Sequence, residues 1–237
     1  MRALRFHGPG DLRLEEVPAP EPGPGDVLVQ IEVALTDGTD LKAFRRGHPV
    51  LLRELPSPFG HEFCGIDVAT GRRVVAANSA AGDDRREPPR LLNGAYAELL
   101  LVPSEIAEAN LLPVPPGLAP EVAAMVEPLA CCLRGVERAE VRAGDRVAIL
   151  GAGPIGLMLA ACVADAGGHA EVVGGRPERR ALVPAFGGSL GDGEGADVVI
   201  EAAGTEDSWQ RAIELARPGG SVLYFGGRES GAELRAD

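Results

Sequence analysis

The sequence predicts an α/β plus β protein, in which a β-barrel-like domain of short strands precedes an α/β domain with a parallel sheet. Two patterns indicate this. Up to residue 120, short apolar segments alternate with glycine- and proline-rich turns, as in small barrels. From residue 145 onward, strand-like and helix-like segments alternate, which is typical of a parallel sheet. The 237 residues are 45% hydrophobic, enough for two modest domains, which we expect at 1–120 and 121–237.

The first domain is expected to begin with two strands joined by the turn Gly8-Pro9-Gly10. After a third strand, Thr39 or Asp40 can cap a short helix that runs to residue 45. The polar segment 78–90 is expected to be an exposed loop. The strands expected in this domain are 2–6, 12–17, 27–33, 63–68, 73–77 and 95–102.

The second domain is expected to begin with a helix over 121–137, where the apolar residues recur at helical spacing. The segment 186–196 is short, so little room remains there for a further strand and a crossover helix. The remaining expected strands are 146–150, 170–173, 197–202 and 221–225, and the remaining expected helices are 155–166, 178–186 and 208–216.

Composition argues against several classes of partner. The chain has 35 acidic and 23 basic residues, a net charge of -12, which disfavours binding to nucleic acid or to anionic membranes. Aromatic residues make up 4% of the chain, too few for a base-stacking platform. We therefore expect a small-molecule partner, no nucleic acid and no membrane.

Cysteine usage and the N-terminus indicate a cytoplasmic protein. The four cysteines form no C-x-x-C pair and no disulfide framework, so we expect small buried thiols in a reducing cytoplasm. The first residues lack the apolar stretch of a signal peptide. Residues 147–164 carry no charge and approach the length of a membrane span, but the glycines and the proline within them have a better explanation.

That explanation is a dinucleotide-binding motif. The apolar strand 147–150 is followed by Gly151, Gly153 and Gly156 in G-x-G-x-x-G spacing, and then by an apolar helix. The first glycine permits a tight turn, the second lets backbone N–H groups approach a pyrophosphate, and the third lets helix and strand pack closely. The N-terminus of the helix supplies positive partial charge to the phosphates. In this strand–turn–helix context the motif strongly indicates a dinucleotide site.

The end of the next strand indicates which cofactor binds. An NAD site is expected to carry an acidic residue there, which binds the ribose 2′-hydroxyl. This chain has Gly174 at that position, followed by Arg176 and two further arginines. Loss of the carboxylate removes repulsion of a 2′-phosphate, and guanidinium groups can pair with that phosphate. The pattern therefore favours NADP(H) over NAD(H), although the arginines could instead be a solvated start of a helix.

Three further motifs precede the glycine motif. They are Gly60-His61-Glu62, Gly94-Ala95-Tyr96-Ala97-Glu98 and Glu127-Pro128-Leu129-Ala130. In this order the four motifs resemble the zinc-dependent medium-chain alcohol/polyol dehydrogenase family, and the resemblance covers essentially the whole chain. It implies a GroES-like catalytic domain followed by a Rossmann domain, with the active site in the cleft between them.

The resemblance also implies roles for individual residues. Asp37, His61 and Glu127 would be ligands of one catalytic Zn²⁺, and Glu62 would be an alternating or water-bridged ligand. Thr39 would relay the alcohol proton, and Asp40 would orient His61. The candidate cofactor-binding residues are Gly151, Gly153, Pro154, Ile155, Gly156, Gly174, Arg176, Gly204 and Lys42.

These roles agree with general chemistry. Three protein ligands leave the open position that a catalytic zinc needs, and a carboxylate behind a ligand histidine fixes its tautomer. Lys42, the only lysine of the chain, matches a position that faces cofactor ribose or substrate in relatives.

The sequence departs from the family pattern in three places. Asp37 replaces the usual ligand cysteine, as in some sugar dehydrogenases of glucose-dehydrogenase type, and could instead be only a turn residue at a site without metal. The lobe with four structural-zinc cysteines is absent, and 78–90 stands in its place. The chain stops soon after the strand 221–225, so we expect an open sheet edge and a homo-oligomer or an unstable isolated chain.

Together these patterns predict an oxidoreductase that transfers a hydride between NADP(H) and an alcohol, polyol or sugar at a catalytic zinc. Two alternatives remain open. One is a zinc-free, quinone-reductase-like member of the same superfamily. The other is a noncatalytic NADP-binding protein.

Overall fold

The computed structural model describes residues 1–48, 52, 54–79 and 91–227. The chain forms two compact units, Met1–Pro128 and Leu129–Asp237. The sequence places this boundary after residue 120. The expected order of an antiparallel β part followed by a parallel α/β part is observed.

The first unit contains two antiparallel sheets. Its strands are β1 (Arg2–Gly8), β2 (Asp11–Glu16), β3 (Val27–Leu35), β4 (Ser57–Pro58), β5 (Glu62–Asp67), β6 (Arg73–Ala76), β7 (Leu99–Val102) and β8 (Leu111–Pro113). One sheet has the order β2-β1-β4 and the other β7-β3-β5-β6-β8. A bridge between Ala3 and Ala97 links them. The core of the larger sheet is built from Val29, Phe63, Leu100, Val102 and Ile106.

Short helices connect these strands. They are α1 (Gly38–Arg46), α2 (Ser104–Asn110) and α3 (Pro120–Ala123), and a fourth helix, α4 (Val126–Arg138), runs across the boundary into the second unit. The single helix expected over 121–137 is therefore wrong, because α4 starts anew with Pro128 in its first turn. Proline is accepted at that place because the N–H groups of a first turn have no partner within the helix.

The first unit differs from the sequence expectation at other places as well, among them β4, which is not expected from the sequence. The strand expected over 95–102 begins only at Leu99, because the backbone N–H groups of Gly94 and Ala95 donate to the carbonyl of Gly60 instead. The helix α2 and the strand β8 are not expected from the sequence. Most of the expected loop 78–90 lies outside the described residues.

The second unit is a parallel sheet with helices. Its strands are β9 (Arg146–Leu150), β10 (His169–Val173), β11 (Ser189–Leu190), β12 (Ala196–Glu201) and β13 (Ala216–Tyr224), and its remaining helices are α5 (Pro154–Asp165), α6 (Pro177–Arg180) and α7 (Glu206–Leu215). The sheet order is β11-β10-β9-β12-β13. Numbered by appearance in this unit, the order is 3-2-1-4-5, as in Rossmann folds. Val147, Ile149, Leu159 and Val163 are fully buried between β9 and α5.

The region between β10 and β12 corrects two expectations. The helix expected over 178–186 is split into α6 and a 3₁₀ helix at Val183–Phe186, because Pro184 cannot continue an α-helix. A third strand does fit, as the two-residue β11. No helix follows it: residues 191–195 cross the sheet directly, and a Cβ at Gly193 would lie 2.9 Å from that of Ala148 on β9.

The apolar segment 147–164 forms β9 and α5. Within the described ranges, no helix combines the length and the apolar character needed to cross a bilayer. Three of the four cysteines are buried as expected, whereas Cys131 is exposed.

Replacing Gly65 with alanine tests the pairing of β3 with β5. A Cβ at Gly65 would lie 2.4 Å from the backbone oxygen of Gln30 and 2.6 Å from a methyl group of Val29. The two strands would have to separate, so we expect urea unfolding to show a loss of about 1–3 kcal/mol. Gly38→Ala is the control, because nothing lies within 4 Å of a Cβ there. Equal unfolding free energies for the two variants would contradict this interpretation.

Candidate active site

Strand pairing brings together the two segments that carry the predicted metal ligands. In the β3–β5 ladder, Leu35 pairs with Glu62. Asp37 lies two residues beyond the end of β3, and His61 immediately precedes β5. One ligand atom from each of Asp37, His61 and Glu62 fits in a group whose members all lie within 4.8 Å of one another. The antiparallel register therefore assembles this cluster from residues that are 24 positions apart in the chain.

The start of α1 fixes Asp37. This residue is the N-cap, and its Oδ1 accepts a hydrogen bond of 2.7 Å from the backbone N–H of Asp40. In return, Oδ2 of Asp40 accepts from the backbone N–H of Asp37 at 3.4 Å. This reciprocal capping box holds both carboxylates in place at the helix N-terminus, where negative charge is favoured.

Asp40 also holds His61. Its Oδ1 lies 3.1 Å from Nδ1 of His61, and both side chains are buried. A carboxylate at Nδ1 favours the tautomer with its proton there, which leaves Nε2 to bind a metal ion. The predicted orienting role of Asp40 thus has a direct structural basis.

Tyr96 completes this arrangement and was not singled out from the sequence. Its hydroxyl lies 2.7 Å from Oδ2 of Asp40, 2.8 Å from the carbonyl of Leu35 and 2.9 Å from the hydroxyl of Thr36. Its ring packs on Gly60, where a Cβ would lie 2.6 Å from a ring carbon. The only signal in the sequence was its place in the Gly94–Glu98 motif, which says nothing about its contacts.

Glu62 is buried with an unpartnered oxygen. The residue is 2% exposed, and its Oε1 has no hydrogen-bond partner in the part of the chain that the structure describes. Burial raises its pKa to about 7, and the charge of Asp37 adds to this rise while the charge of His61 opposes it. A buried carboxylate without a donor is costly, so this oxygen needs a proton or a cation.

Burial and the neighbouring carboxylates have opposite effects on the pKa of His61. Burial alone would lower this pKa, but the hydrogen bond that His61 donates to Asp40 and the charges of Asp40, Glu127 and Asp37 raise it to about 9. When all groups are ionised, four carboxylates surround one imidazole. The cluster therefore carries excess negative charge even when His61 is protonated.

Three further predicted residues are not members of this group of ligand atoms. Glu127 is buried and acts on His61 and Glu62 through its charge, but it is not part of the close group of ligand atoms in the described residues. Thr39 is half-buried in the first turn of α1, and Lys42 is exposed on the same helix.

The glycine motif forms the loop between β9 and α5 in the second unit. Gly151 has a φ of 109°, which favours glycine, and Gly153 is the N-cap of α5, whose first turn contains Pro154 and Ile155. A Cβ at Gly156 would lie 1.8 Å from the backbone oxygen of Gly151. Only glycine permits this close approach, so Gly151 and Gly156 have the geometry expected for a tight turn and for close helix–strand packing.

The residues after β10 bear on whether NADP(H) or NAD(H) is preferred. Gly174 has a φ of 76° with open space around it, so an acidic side chain there would be strained by the backbone. Arg176 is the exposed N-cap of α6. A Cβ at Gly153 would lie 3.9 Å from Nη1 of Arg179, so this second guanidinium lies next to the glycine loop.

The loop after β12 contains Gly204, which has a φ of 71° and donates its N–H to Oε1 of Glu201 at 2.6 Å. Glu201 is fully buried at the carboxyl end of β12. No motif in the sequence singles out Glu201, because a glutamate at the end of an apolar strand has no distinctive spacing.

Comparisons with known proteins show which proteins this chain resembles. The family model of the alcohol dehydrogenase GroES-like domain matches residues 23–116. A probable zinc-binding alcohol dehydrogenase of Mycobacterium tuberculosis is 32% identical over 267 residues, covering 95% of this chain and 68% of its own. L-galactonate-5-dehydrogenase of Escherichia coli is 28% identical over 270 residues, covering 95% and 76%.

Among solved structures, a protein of Sinorhizobium meliloti described as a zinc-binding dehydrogenase bound to NADP matches with a TM-score of 0.87. It is 29% identical, and the match covers 100% of this chain and 79% of the other. The relatives confirm the predicted GroES-like and Rossmann fold class and the predicted oxidoreductase activity on CH–OH groups. The chain belongs to the zinc-type alcohol/polyol dehydrogenase family.

Proposed function

We propose that this dehydrogenase interconverts a polyol- or sugar-type alcohol and its carbonyl compound with NADP(H), at one zinc ion held by Asp37, His61 and a glutamate. Glu62 and Glu127 are the two candidates for that glutamate. The observation that carries the proposal is the buried carboxylate cluster, in which Oε1 of Glu62 has no partner among the described residues.

The donor set fits a zinc ion. Imidazole nitrogen and carboxylate oxygen are both zinc ligands, and a divalent cation would balance the excess negative charge of the cluster. Sulfur is absent from the cluster, so the site is harder than one with a thiolate, and we expect weaker zinc binding. Within the proposal, Asp40 and Tyr96 keep His61 oriented toward the ion.

When bound, zinc would act as a Lewis acid on the substrate oxygen, and NADP(H) would take up or return the hydride. The chain itself positions groups and moves the proton. Thr39 lies two residues after Asp37 in the first turn of α1, so we assign its hydroxyl to the proton relay. Lys42, on the same helix, is assigned to hydroxyl groups of substrate or cofactor.

The preference for NADP(H) rests on the second unit. The N-terminus of α5 and the glycine loop would bind the pyrophosphate. Arg179 supplies positive charge next to the glycine loop, and we assign Arg176, the exposed N-cap of α6, to the 2′-phosphate. The left-handed backbone at Gly174 disfavours the acid of an NAD site. The assignment of a sugar- or polyol-type substrate is supported by the names of relatives, which include L-galactonate-5-dehydrogenase and a sorbitol dehydrogenase.

One observation favours a metal-free alternative. Asp37 already has a structural role as the N-cap of α1, and that role needs no metal ion. In a noncatalytic NADP-binding protein, the carboxylates would be satisfied by protons instead of by a cation.

Removing His61 tests the zinc proposal against that alternative. We expect at most one zinc per chain by elemental analysis, and His61→Ala should remove it together with NADP-linked polyol oxidation. His7→Ala is the control, because His7 also contacts a carboxylate, that of Glu15 at 2.6 Å, outside the cluster. Zinc retained by His61→Ala, or two zinc ions in the parent chain, would refute the site.

The thermal stability of the metal-free chain should fall as pH rises. The pKa of Glu62 lies at about 7 instead of 4.5, so the folded chain holds this proton more tightly than the unfolded chain does. The resulting stabilisation is lost as the pH rises from about 4.5 to 7. The pKa of His61 lies at about 9 instead of 6.5, so its stabilisation is complete below 6.5 and is lost toward 9. We expect the Tm in chelator to drop by several degrees from pH 5.5 to 9.

Two controls accompany this measurement. Excess zinc should abolish the decline, because bound metal stabilises the deprotonated ligands. Glu62→Gln should flatten the part of the curve below pH 7. A metal-free Tm that rises steadily with pH would show that the cluster does not hold these protons.

Arg176→Ala tests the choice of cofactor. Loss of a charge-assisted contact to the 2′-phosphate should raise the Kd for NADPH by roughly tenfold while leaving that for NADH nearly unchanged. Arg134→Ala, on the exposed side of α4, is the matched control. Equal weakening of both cofactors, or a parent chain that prefers NADH, would overturn the NADP assignment.

A further inference from the structure

Glu201 is a completely buried carboxylate with an unusual set of partners. It stands at the carboxyl end of β12 and is 0% exposed. Its Oε1 lies 2.7 Å from the backbone nitrogen of Ala203, 2.6 Å from that of Gly204 and 2.7 Å from the hydroxyl of Ser208. All three are donors, so one oxygen fixes the backbone turn that leads into α7. Its other oxygen, Oε2, is buried and has no hydrogen-bond partner in the described residues.

The same residue holds the next loop of the sheet. Its backbone oxygen accepts hydrogen bonds of 2.9 Å from both Phe225 and Gly226, just beyond β13. A Cβ at Gly226 would lie 2.6 Å from Oε2 of Glu201 and 2.7 Å from the nitrogen of Gly204. The loops after β12 and β13 therefore pack backbone against backbone around this carboxylate.

This packed pair of loops borders the dinucleotide motif. A Cβ at Gly151 would lie 3.3 Å from that of Ala203, and the N–H of Ala202 donates to the carbonyl of Leu150 at 3.0 Å. The strands β9 and β12 are neighbours at the point where the strand order reverses. In open parallel sheets, ligands bind in the crevice beyond the carboxyl ends of the strands at this point.

We propose that Glu201 is a positioning residue for the pyridine dinucleotide: it holds residues 202–205 beside the glycine loop as the second wall of the cofactor site. The inference rests on the proposed NADP(H) function. It assigns Glu201 no contact with the cofactor, since its carboxylate faces its own loops. Glu201 acts through the backbone of Ala203 and Gly204.

Cofactor affinity and stability, measured separately on the full chain, test this role. NADPH binding is followed by nucleotide fluorescence and unfolding by thermal melting, for Glu201→Ala, Glu201→Gln and Gly226→Ala. We expect Glu201→Ala to raise the Kd for NADPH by about tenfold or more, with partial rescue in Glu201→Gln, which keeps one acceptor oxygen. Gly226→Ala leaves the carboxylate intact but wedges the loops apart, and it should weaken NADPH binding as well.

Glu171→Gln is the matched control. Glu171 lies on β10 of the same sheet, and its Oε1 accepts the N–H of Gly193 at 3.1 Å, in the crossing segment 191–195 instead of at the glycine loop. This variant should lose stability without loss of NADPH affinity. If Glu201→Ala does not fold, the NADPH affinities of Glu201→Gln and Gly226→Ala test the proposal instead.

Different failures have different meanings. A parent chain that binds neither NADPH nor NADH contradicts the proposed function itself. A parent that binds NADPH while the folded Glu201 and Gly226 variants keep its Kd within twofold overturns only the role of Glu201. An equal loss of affinity in Glu171→Gln would also overturn it, because the effect would then reflect general stability of the sheet.

Discussion

Burial of negative charge around His61 is the constraint on which the chemistry of this chain depends. Asp37, Asp40, Glu62 and Glu127 bring more negative charge to the site than one imidazole can balance, and three of the four are buried. Uncompensated buried charge is costly, so the folded chain must hold protons or a cation there. The capping box, the Asp40–His61 bond and the contact from Tyr96 all serve to fix this charge in one geometry.

The second unit contains another buried carboxylate with a different set of partners. Glu201 is buried more completely than any member of the first cluster. Two backbone N–H groups and one hydroxyl donate to its Oε1, whereas its Oε2 has no hydrogen-bond partner in the described residues. One kind of side chain thus does two tasks. In the first unit, several carboxylates gather around His61 at a site that a cation could occupy, whereas in the second unit a single carboxylate organises a loop beside the glycine motif.

The local parts of both sites could be predicted from the sequence. The spacing of the glycines in the G-x-G-x-x-G motif predicts the backbone turn and the close packing of strand and helix. Asp37 and His61 also stand in recognisable motifs. Tyr96 and Glu201 could not be found this way, because their roles depend on contacts with segments distant in sequence or on the packing of a whole sheet edge. The crossing segment 191–195 was also beyond prediction. The alignment with the Mycobacterium tuberculosis relative runs over 267 positions, which is more than the 237 residues of this chain. That relative therefore carries residues that this chain lacks.

The most direct test of the account is X-ray absorption spectroscopy on the zinc-loaded chain. The account predicts a first shell of nitrogen and oxygen only, at about 2.0–2.2 Å, with the signature of one imidazole. A sulfur neighbour at about 2.3 Å would contradict it, because no cysteine belongs to the cluster of Asp37, His61 and Glu62. A chain that takes up no zinc at all would contradict it equally.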